Sequence, residues 1–258
     1  MNLTYYLEIT TNIGCPNICA KYCPQEVLIK NYGNQNRMMT FEDFEKILSH
    51  VPNHVAIIFS GFSEPFANKR CTDMIKLAYQ KGHKIHVFTT LYGVSENDVK
   101  ELSKMKASIL VHLPDSYGIL KEPPTQGYRD RFFEIQESIA DVRTMSMNDA
   151  FETCNRENVA RNKVKPRRYG KCHNFVRQIM PVVLPNGNTY LCCMDFGLHD
   201  YVGNLLNESY DTIVERILQN EGKFYNCNYC ERNVPLLRYI MYECKVIADE
   251  KIFKEKKE

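Results

Sequence analysis

Short runs of β-branched and aromatic residues alternate along the first half of the chain with segments whose apolar residues recur every three or four positions. Strands are predicted at residues 4–11, 55–59, 84–90, 107–113 and 142–146. Helices are predicted between them at residues 40–48, 70–81, 95–105 and 128–140. This alternation is typical of an α/β fold with a parallel sheet, in which ligands bind at the carboxyl ends of the strands.

Several helix ends are marked by residues with suitable capping chemistry. Thr40 and Ser95 stand directly before helical segments and are predicted N-caps, because their hydroxyl oxygens can accept backbone N–H bonds. Gly82 follows the helix predicted at residues 70–81 and is expected in the left-handed conformation that ends many helices.

The last third of the chain has a different pattern. Residues Phe175–Leu184 and Thr189–Cys193 flank Pro185-Asn186-Gly187-Asn188, which is a strong signal for a β-hairpin turn. An amphipathic helix is predicted at Ser209–Gln219, and a final helical stretch ends in a charged tail.

Domain boundaries follow from this change of pattern. We predict a β/α domain, a smaller unit, and a C-terminal helix with a charged tail, at residues 1–160, 161–234 and 235–258. The junction is a basic stretch at residues 161–171 with no clear period. It is interpreted as a solvated linker, and a contact to a substrate phosphate is the alternative.

Composition narrows the function classes. With 258 residues, 44% of them hydrophobic, and a net charge of +2, the chain has no charge-based case for nucleic-acid or membrane partners. No apolar run is long enough to span a membrane. Glu8 interrupts the N-terminal apolar stretch, so no secretion signal is visible and we expect a cytoplasmic protein.

Eleven cysteines in such a protein indicate metal or redox chemistry rather than disulfides. Most fall into two groups: Cys15, Cys19 and Cys23 near the start, and Cys172, Cys192, Cys193, Cys227 and Cys230 in the last third. Three thiolates on one short loop can hold three irons of a [4Fe-4S] cluster and leave the fourth iron open. A structural zinc knuckle is the alternative.

The cysteine loop resembles that of the radical S-adenosylmethionine (radical SAM) enzymes. In this family three cysteines after the first strand of a partial (β/α)6-type TIM barrel hold a [4Fe-4S] cluster. S-adenosylmethionine binds the open iron, and its cleavage yields a radical that removes a substrate hydrogen. Here the spacing is Cys15-x3-Cys19-x3-Cys23, one residue longer than is usual in the family, and Tyr22 keeps the aromatic residue that lies near the adenine.

A second motif extends the resemblance. Gly61-Phe62-Ser63-Glu64-Pro65 is similar to the family's Gly-Gly-Glu-Pro motif, whose backbone groups and Glu hold the amine of S-adenosylmethionine. A glycine permits close backbone approach, and Glu64 offers a carboxylate to an ammonium. Thr89 and Thr90 stand where the family often contacts the ribose or the methionyl carboxylate, and ordinary strand residues are the alternative.

The later cysteines resemble the SPASM and twitch domains, which bind auxiliary clusters. Cys172-x14-Gly187-x4-Cys192 matches the opening of these domains, and Cys227-x2-Cys230 would complete the ligands of one auxiliary [4Fe-4S] cluster. A single set of ligands is similar to the shorter twitch version. Four thiolates can equally hold zinc.

The resemblance also suggests residues that act on the substrate. Glu8 lies on the first strand and faces either the barrel interior or solvent. Arg156 lies in Cys154-Asn155-Arg156-Glu157-Asn158, which is similar to a Ser-Asn-Arg segment that such enzymes have before the auxiliary domain. Cys193, Met194 and Asp195 follow a cluster ligand on a segment that faces substrate in the family, and an inert buried thiol is the alternative for Cys193.

The resemblance implies an oxidoreductase with S-adenosylmethionine and two [4Fe-4S] clusters as cofactors and an external electron donor such as flavodoxin or ferredoxin. The chain is similar in layout to small carbohydrate-modifying members such as aminocyclitol dehydrogenases, which implies a sugar, cyclitol or nucleotide-sugar substrate. We expect oxidation of a secondary alcohol or its epimerisation. The alternatives are a peptide-modifying member of the family and a non-enzymatic, cysteine-rich zinc or electron-transfer protein.

Overall fold

A computed structural model describes residues 3–16, 23–114, 125–146, 170–172, 178–220, 223–230 and 233–235. The strands in these residues are β1 (Thr4–Ile9), β2 (Ala56–Phe59), β3 (Ile85–Thr89), β4 (Ala107–Leu113), β5 (Asp141–Ser146), β6 (Gly170–Cys172), β7 (Gln178–Ile179), β8 (Val182–Val183), β9 (Asn188–Tyr190), β10 (Tyr201–Asn204) and β11 (Asn233–Pro235). The α-helices are α1 (Gln25–Tyr32), α2 (Phe41–Ser49), α3 (Cys71–Gln80), α4 (Glu96–Leu102), α5 (Gln126–Ser138), α6 (Tyr210–Gln219) and α7 (Tyr225–Tyr229).

A parallel sheet forms the centre of the molecule. Strands β1 to β5 lie side by side in chain order, and each neighbouring pair is parallel. Helices α2, α3, α4 and α5 connect successive strands. The predicted α/β class is therefore confirmed, as are the strands and helices predicted in the first half of the chain, with small shifts at their ends.

The two faces of this sheet differ in polarity. One face packs with α2 and α3 in the main core and contributes these fully buried residues: Leu7, Ile9, Ile57, Phe59, Ile85, Val87, Ile109 and Val111. On the other face the strand register places Glu8, Ile58, His86 and Ser108 side by side. Because side chains alternate along a strand, each strand supplies residues to both faces.

Predicted helix caps form as expected. Thr40 Oγ1 accepts the Asp43 N–H at 3.0 Å, and Ser95 forms a reciprocal capping box with Asp98. Gly82 has a φ of 89°, in the left-handed region where glycine costs least. These three predictions are confirmed, and the chemistry of each residue explains where its helix starts or stops.

Helix α1 was not predicted from the sequence. It begins directly after Pro24, whose side chain provides no capping hydrogen bond. Its buried residues are Gln25, Leu28 and Tyr32, which form a narrow stripe with a polar residue at one end. Such a helix lacks both a start signal and a broad apolar face, so its position depends on packing.

The predicted hairpin forms, with shorter strands than expected. β8 and β9 pair antiparallel, and Gly187 in the turn has a φ of 79°. β8 also pairs in parallel with β1, which aligns Glu8 with Val182. The hairpin therefore continues the central sheet beyond β1, in the order β10-β9-β8-β1, and the predicted helix at Ser209–Gln219 follows as α6, with Ser209 as its N-cap.

A separate two-stranded sheet joins β6 to β11, which pair antiparallel. Within the described ranges, none of the helices is long and apolar enough to cross a membrane.

Candidate active site

The loop after β2 lies directly against β1. The Gly61 N–H donates to Glu8 Oε1 at 3.0 Å, and the Phe62 N–H donates to Thr10 Oγ1 at 3.2 Å. A β-carbon on Gly61 would lie 2.0 Å from Thr10 Oγ1, and the φ of Gly61 is 75°. The contact with β1 therefore requires a glycine at this position.

The rest of this loop is attached to the residues just beyond β1. Ser63 Oγ donates to Asn12 Oδ1 at 3.1 Å, and Thr11 Oγ1 donates to the Pro65 carbonyl at 2.9 Å. Thr11 and Asn12 are both buried. These bonds hold the loop at the carboxyl end of β1, which is where parallel sheets bind ligands.

Glu64 joins the loop to the end of β3. Its Oε1 accepts the Thr89 hydroxyl at 2.6 Å, and its Oε2 accepts both the backbone N–H and the hydroxyl of Thr90 at 2.7 Å. Burial raises the pKa of Glu64, and the hydrogen bonds from Thr89 and Thr90 oppose this shift. Within the described chain, Glu64, Thr89 and Thr90 form one network at the sheet edge, and their predicted contacts to a cofactor stay predictions.

Gln25 connects the cysteine loop to this network, and sequence reasoning missed it. Its Oε1 accepts the Cys15 N–H at 3.3 Å, and its Nε2 donates to the Phe62 carbonyl at 2.5 Å. The side chain is buried. Gln25 lies two residues after Cys23, at the start of α1. A polar residue at the start of a helix is common, so nothing in the sequence indicated this bridging role.

Several predicted residues lie outside the described ranges. These are Cys19, Tyr22, Cys154, Arg156 and most of the basic stretch at 161–171. Of the cysteine loop, Cys15 and Cys23 are described, and both are partly buried.

Backbone pairing brings the later cysteine segments together. β6 ends at Cys172, which lies opposite Asn233 on β11. Cys230 ends α7 a few residues before β11. Cys172 thus lies in this two-stranded sheet, and Cys230 lies three residues before its second strand, although the two cysteines are far apart in the chain.

The thiols of these segments lie close enough to raise one another's pKa. Burial raises the pKa of Cys192, and Cys193, Cys230 and Cys227 raise it further. Burial also raises the pKa of Cys227, with added contributions from Cys172 and Cys230. The four predicted ligands are therefore neighbours, although no group of three or more His, Cys, Asp or Glu in the described residues has the geometry of a bound metal.

Asp195 organises the turn after the hairpin. It is fully buried, and its carboxylate accepts the backbone N–H groups of His199 and Asp200, both at 2.8 Å. The sequence placed Asp195 on a segment facing substrate. In the structure its two oxygens accept these backbone donors, which indicates that it positions the turn beside the later cysteines.

A hydrophobic cluster lies between the two cysteine sites. Phe62 and Phe196 meet edge to face with ring centroids 4.9 Å apart, and both are buried. Cys23 and Cys193 pack against the same cluster from its periphery. The motif loop and the segment after β9 are thus in direct contact.

The inner face of the sheet carries polar residues that sequence reasoning mostly missed. Glu8 is only 3% exposed and faces this side, which resolves its two predicted orientations in favour of the interior. His86 lies in the same register row, two strands away. Next in the row, Ser108 accepts a hydrogen bond from Arg143 Nη2 at 3.0 Å. The alternation of polar and apolar residues in β3 is the signal that could have identified His86.

Comparisons with known proteins give matches by structure. No protein-family model matches the sequence, and no curated protein sequence matches it. The crystal structure of BtrN in complex with AdoMet and 2-DOIA has a TM-score of 0.60 at 15% identity, covering 89% of this chain and 94% of BtrN.

A second protein has the same fold. Native anSMEcpe with bound AdoMet has a TM-score of 0.56 at 12% identity, covering 98% of this chain and 99% of that one. Its structure with bound AdoMet and the Cp18Cys peptide has a TM-score of 0.55 at 12% identity, again covering 98% and 99%.

These likenesses establish the architecture, a partial β/α barrel continued by a hairpin at its first strand. The chain is similar in fold to radical SAM enzymes with SPASM or twitch domains, as its cysteine motifs predicted.

Proposed function

We propose that this protein is a radical SAM enzyme that removes a hydrogen atom from a carbohydrate-like alcohol, with S-adenosylmethionine and two [4Fe-4S] clusters as cofactors. One observation supports it most: Gln25 ties the backbone of Cys15 to that of Phe62. This bridge supports the proposal that the cysteine loop and the Gly61–Pro65 loop, predicted separately from sequence, belong to one site. BtrN and anSMEcpe, which share the fold, both bind AdoMet.

The residues at the cysteine loop fit a cluster with one open iron. Gln25 connects Cys15 to the motif loop, Cys23 packs against the cluster that contains Phe62, and Cys19 is proposed as the third ligand. When bound, this cluster and S-adenosylmethionine supply a carbon-centred radical that takes a hydrogen atom from the substrate, and the auxiliary cluster offers a one-electron acceptor.

The Gly61–Pro65 loop fits the amino-acid end of S-adenosylmethionine. Its backbone is held in place by Glu8 and Thr10, and the absence of a side chain on Gly61 lets the chain pass close to β1. Glu64 positions the Thr89–Thr90 segment beside it. A rigid loop of this kind orients a bound cofactor at low entropic cost.

The later cysteines fit an auxiliary cluster. Cys172, Cys192, Cys227 and Cys230 are thiol donors gathered near one another. Thiolate sets of this kind bind iron–sulfur clusters or zinc. Cys193, which follows the ligand Cys192 in the chain, packs against the hydrophobic cluster of Phe62, and Cys23 packs against the same cluster. This shared contact between the two cysteine groups supports the iron–sulfur assignment.

Oxidation of a secondary alcohol is the preferred reaction, and epimerisation is the other outcome at the same site. An epimerase needs a thiol that returns a hydrogen atom, and Cys193 packs against the hydrophobic cluster shared by both cysteine sites. Arg156 and Glu8 are proposed to contact the substrate. An external flavodoxin or ferredoxin would supply the reducing electron.

Peptide modification is a second candidate function. The structure of anSMEcpe with AdoMet and the Cp18Cys peptide shares this fold over nearly the full length of both chains. A cysteine-containing peptide should therefore be offered beside the carbohydrate substrates. A change in the mass of the peptide, with the cyclitols unchanged, would support this function instead.

Anaerobic reconstitution with iron and sulfide tests the proposal. We expect about eight irons per chain, a brown colour, and reductant-dependent cleavage of S-adenosylmethionine to 5′-deoxyadenosine. Stoichiometric zinc in a colourless protein would overturn the enzymatic proposal in favour of a zinc protein.

Cysteine variants assign the two sites. Cys15→Ala should lose about half the iron and all cleavage, whereas Cys227→Ala should lose about half the iron and keep cleavage. Cys71 is buried in the main core outside both groups, so Cys71→Ala is the matched control and should retain all the iron.

Product mass then separates the two reactions on the alcohol. A product lighter by one pair of hydrogen atoms indicates oxidation, and an unchanged mass with inverted configuration indicates epimerisation. Cys193→Ala should abolish the product of an epimerase and leave a dehydrogenase largely active.

A further inference from the structure

The inner face of the barrel sheet contains a row of polar side chains at one level. Hydrogen-bonded register aligns Glu8 on β1 with Ile58 on β2, His86 on β3 and Ser108 on β4. Neighbouring strands lie about 4.8 Å apart, so the backbones of Glu8 and His86 are separated by about 10 Å with both side chains on one face. A ligand lying over Ile58 and spanning this distance would contact both.

Two polar atoms in this row are buried without a partner among the described residues. Glu8 Oε1 accepts the Gly61 N–H, but no donor in the described ranges reaches Glu8 Oε2. Likewise none of the described residues bonds to His86 Nε2. Buried polar groups in folded proteins are nearly always paired, so both atoms require a polar group from outside the described chain.

The other polar members of the row are already engaged. Ser108 Oγ accepts from Arg143 Nη2, and Arg143 Nε lies 3.9 Å from the Asp141 carboxylate. Lys84 and Arg143 are therefore the cations near His86, and the carboxylates of Asp141 and Glu8 balance them. The open acceptor atom on Glu8 favours a ligand that donates a hydrogen bond there over one that carries a negative charge.

The protonation state of His86 agrees with this geometry. Burial lowers the pKa of His86, and the nearby charges of Lys84 and Arg143 lower it further, while Asp141 opposes them. The ring of Tyr6 lies against His86 on the same face, with centroids 6.1 Å apart. A neutral imidazole exchanges donor and acceptor roles with a hydroxyl, which an imidazolium cannot do.

We propose that Glu8 Oε2 and His86 Nε2 together bind neighbouring hydroxyl groups of the substrate, and that they select an unphosphorylated polyol over a phosphorylated or nucleotide sugar. This inference rests on the proposed function for the identity of the site and narrows its substrate class. Glu8 accepts from one hydroxyl, and His86 exchanges a hydrogen bond with the next. An ammonium group in place of the first hydroxyl satisfies Glu8 equally well.

Binding to the reconstituted protein tests the proposal without relying on turnover. Ligand-observed saturation-transfer NMR would be recorded with myo-inositol, scyllo-inosamine and myo-inositol 1-phosphate as probes. Signals are expected from the first two and none from the phosphate. His86→Asn should weaken myo-inositol binding about ten-fold, because an unpaired buried donor or acceptor remains.

The variants are chosen to keep the fold. Glu8→Gln keeps an oxygen for the Gly61 N–H and should weaken scyllo-inosamine more than myo-inositol, since only the amine loses an ion pair. His54 is the matched control: its ring lies 6.0 Å from Tyr5, the neighbour of Tyr6 that points to the opposite side of β1. His54→Asn should bind all three probes like the unmodified protein.

Two results would overturn the proposal: equal binding of the phosphate and myo-inositol, or unchanged binding in both Glu8→Gln and His86→Asn. Iron content and cleavage of S-adenosylmethionine are measured on the same samples. A protein that holds iron and cleaves the cofactor but fails these binding tests refutes this inference alone, whereas loss of iron and cleavage refutes the proposed function.

Discussion

Gly61 illustrates how one residue of the site is determined by its contacts. Its backbone has a φ of 75°, and its missing β-carbon leaves room for the Thr10 hydroxyl, which accepts the next backbone N–H. Gly82 has a similar φ of 89°, but a β-carbon there would meet no atom of the described residues within 4 Å. A side chain at Gly82 would therefore meet backbone strain alone, whereas one at Gly61 would meet backbone strain and a steric clash.

Alanine at these two positions should give different losses of stability. Gly82→Ala should cost about 1–2 kcal/mol, the usual penalty for a left-handed residue with a β-carbon. Gly61→Ala adds a clash with Thr10 and should cost about 3–5 kcal/mol. Urea unfolding of both variants measures the difference, and equal losses would show that Thr10 moves away without cost.

The hydrogen-bond partners of Glu64 could not be predicted from its position in the sequence. Its place in a Gly-Phe-Ser-Glu-Pro segment marked it as a functional residue, but the donors that surround it come from the end of β3. Those donors are 25 and 26 residues away in the chain. Only the parallel pairing of β2 and β3 brings them to the carboxylate.

Two loops that belong to different elements meet at an aromatic pair. Phe62 lies in the loop after β2, and Phe196 lies in the turn after β9, with ring centroids 4.9 Å apart. Edge-to-face pairs of this kind add stability beyond the area they bury. The two cysteine groups are therefore linked through packed side chains, since Cys23 and Cys193 contact the same cluster.

A double-mutant cycle should detect this link. Phe62→Leu and Phe196→Leu together should destabilise less than the sum of the single changes, with a coupling free energy of about 0.5–1.5 kcal/mol. Phe44 packs in the main core instead, so Phe44→Leu combined with Phe196→Leu is the control. Additivity in the first pair, measured by chemical unfolding, would argue against the link.

The hairpin shows a similar dependence on distant elements. The Pro185–Asn188 turn was evident locally, and β8 and β9 do form around it. The place of β8 beside β1 was not evident, because it depends on backbone groups of β1 that are free to pair on that edge. Strand pairing between remote segments is decided by the whole sheet.

At the scale of the molecule, the sheet separates an apolar face from a polar one. Helices α2 and α3 cover the apolar face and form the main core, and the polar face holds Glu8 and His86.

His83, which lies just before β3, is buried with its Nδ1 2.9 Å from the Val55 carbonyl. A carbonyl can only accept, so Nδ1 carries the proton.

The buried His83 and the half-buried His86 should make stability depend on pH. Burial lowers the pKa of His83 and of His86 below the ordinary value of 6.5. The unfolded chain then binds more protons than the folded one, so stability is full above about pH 6.5 and falls as pH decreases through the folded values.

The variant His83→Asn should flatten part of this decrease. Asparagine can keep a donor near the Val55 carbonyl and does not titrate in this range. Unfolding free energies at about pH 7.5 and about pH 5.5 would be compared between the variant and the unmodified protein. The same decrease in both would mean that His83 contributes nothing to it.

Strands β1 to β5, helices α2 to α6, the caps and the cysteine motifs were evident from the chain alone, because they depend on neighbours a few residues away. Thr40, Ser95 and Gly82 behave as their chemistry requires wherever a helix starts or ends. The cysteine spacings are also local, so they suggested the family resemblance, and the alternation of strands and helices predicted the α/β class.

The partners of the site residues came from the folded chain. Glu8 and Gly61 are 53 residues apart, and Gln25 and Phe62 are 37 apart. Alternation along β1 left the orientation of Glu8 undetermined, since either face was open to it. The packing of α2 and α3 on one side of the sheet determines this orientation. Their apolar residues bury Leu7 and Ile9, so Glu8 faces the other side, towards the loop after β2.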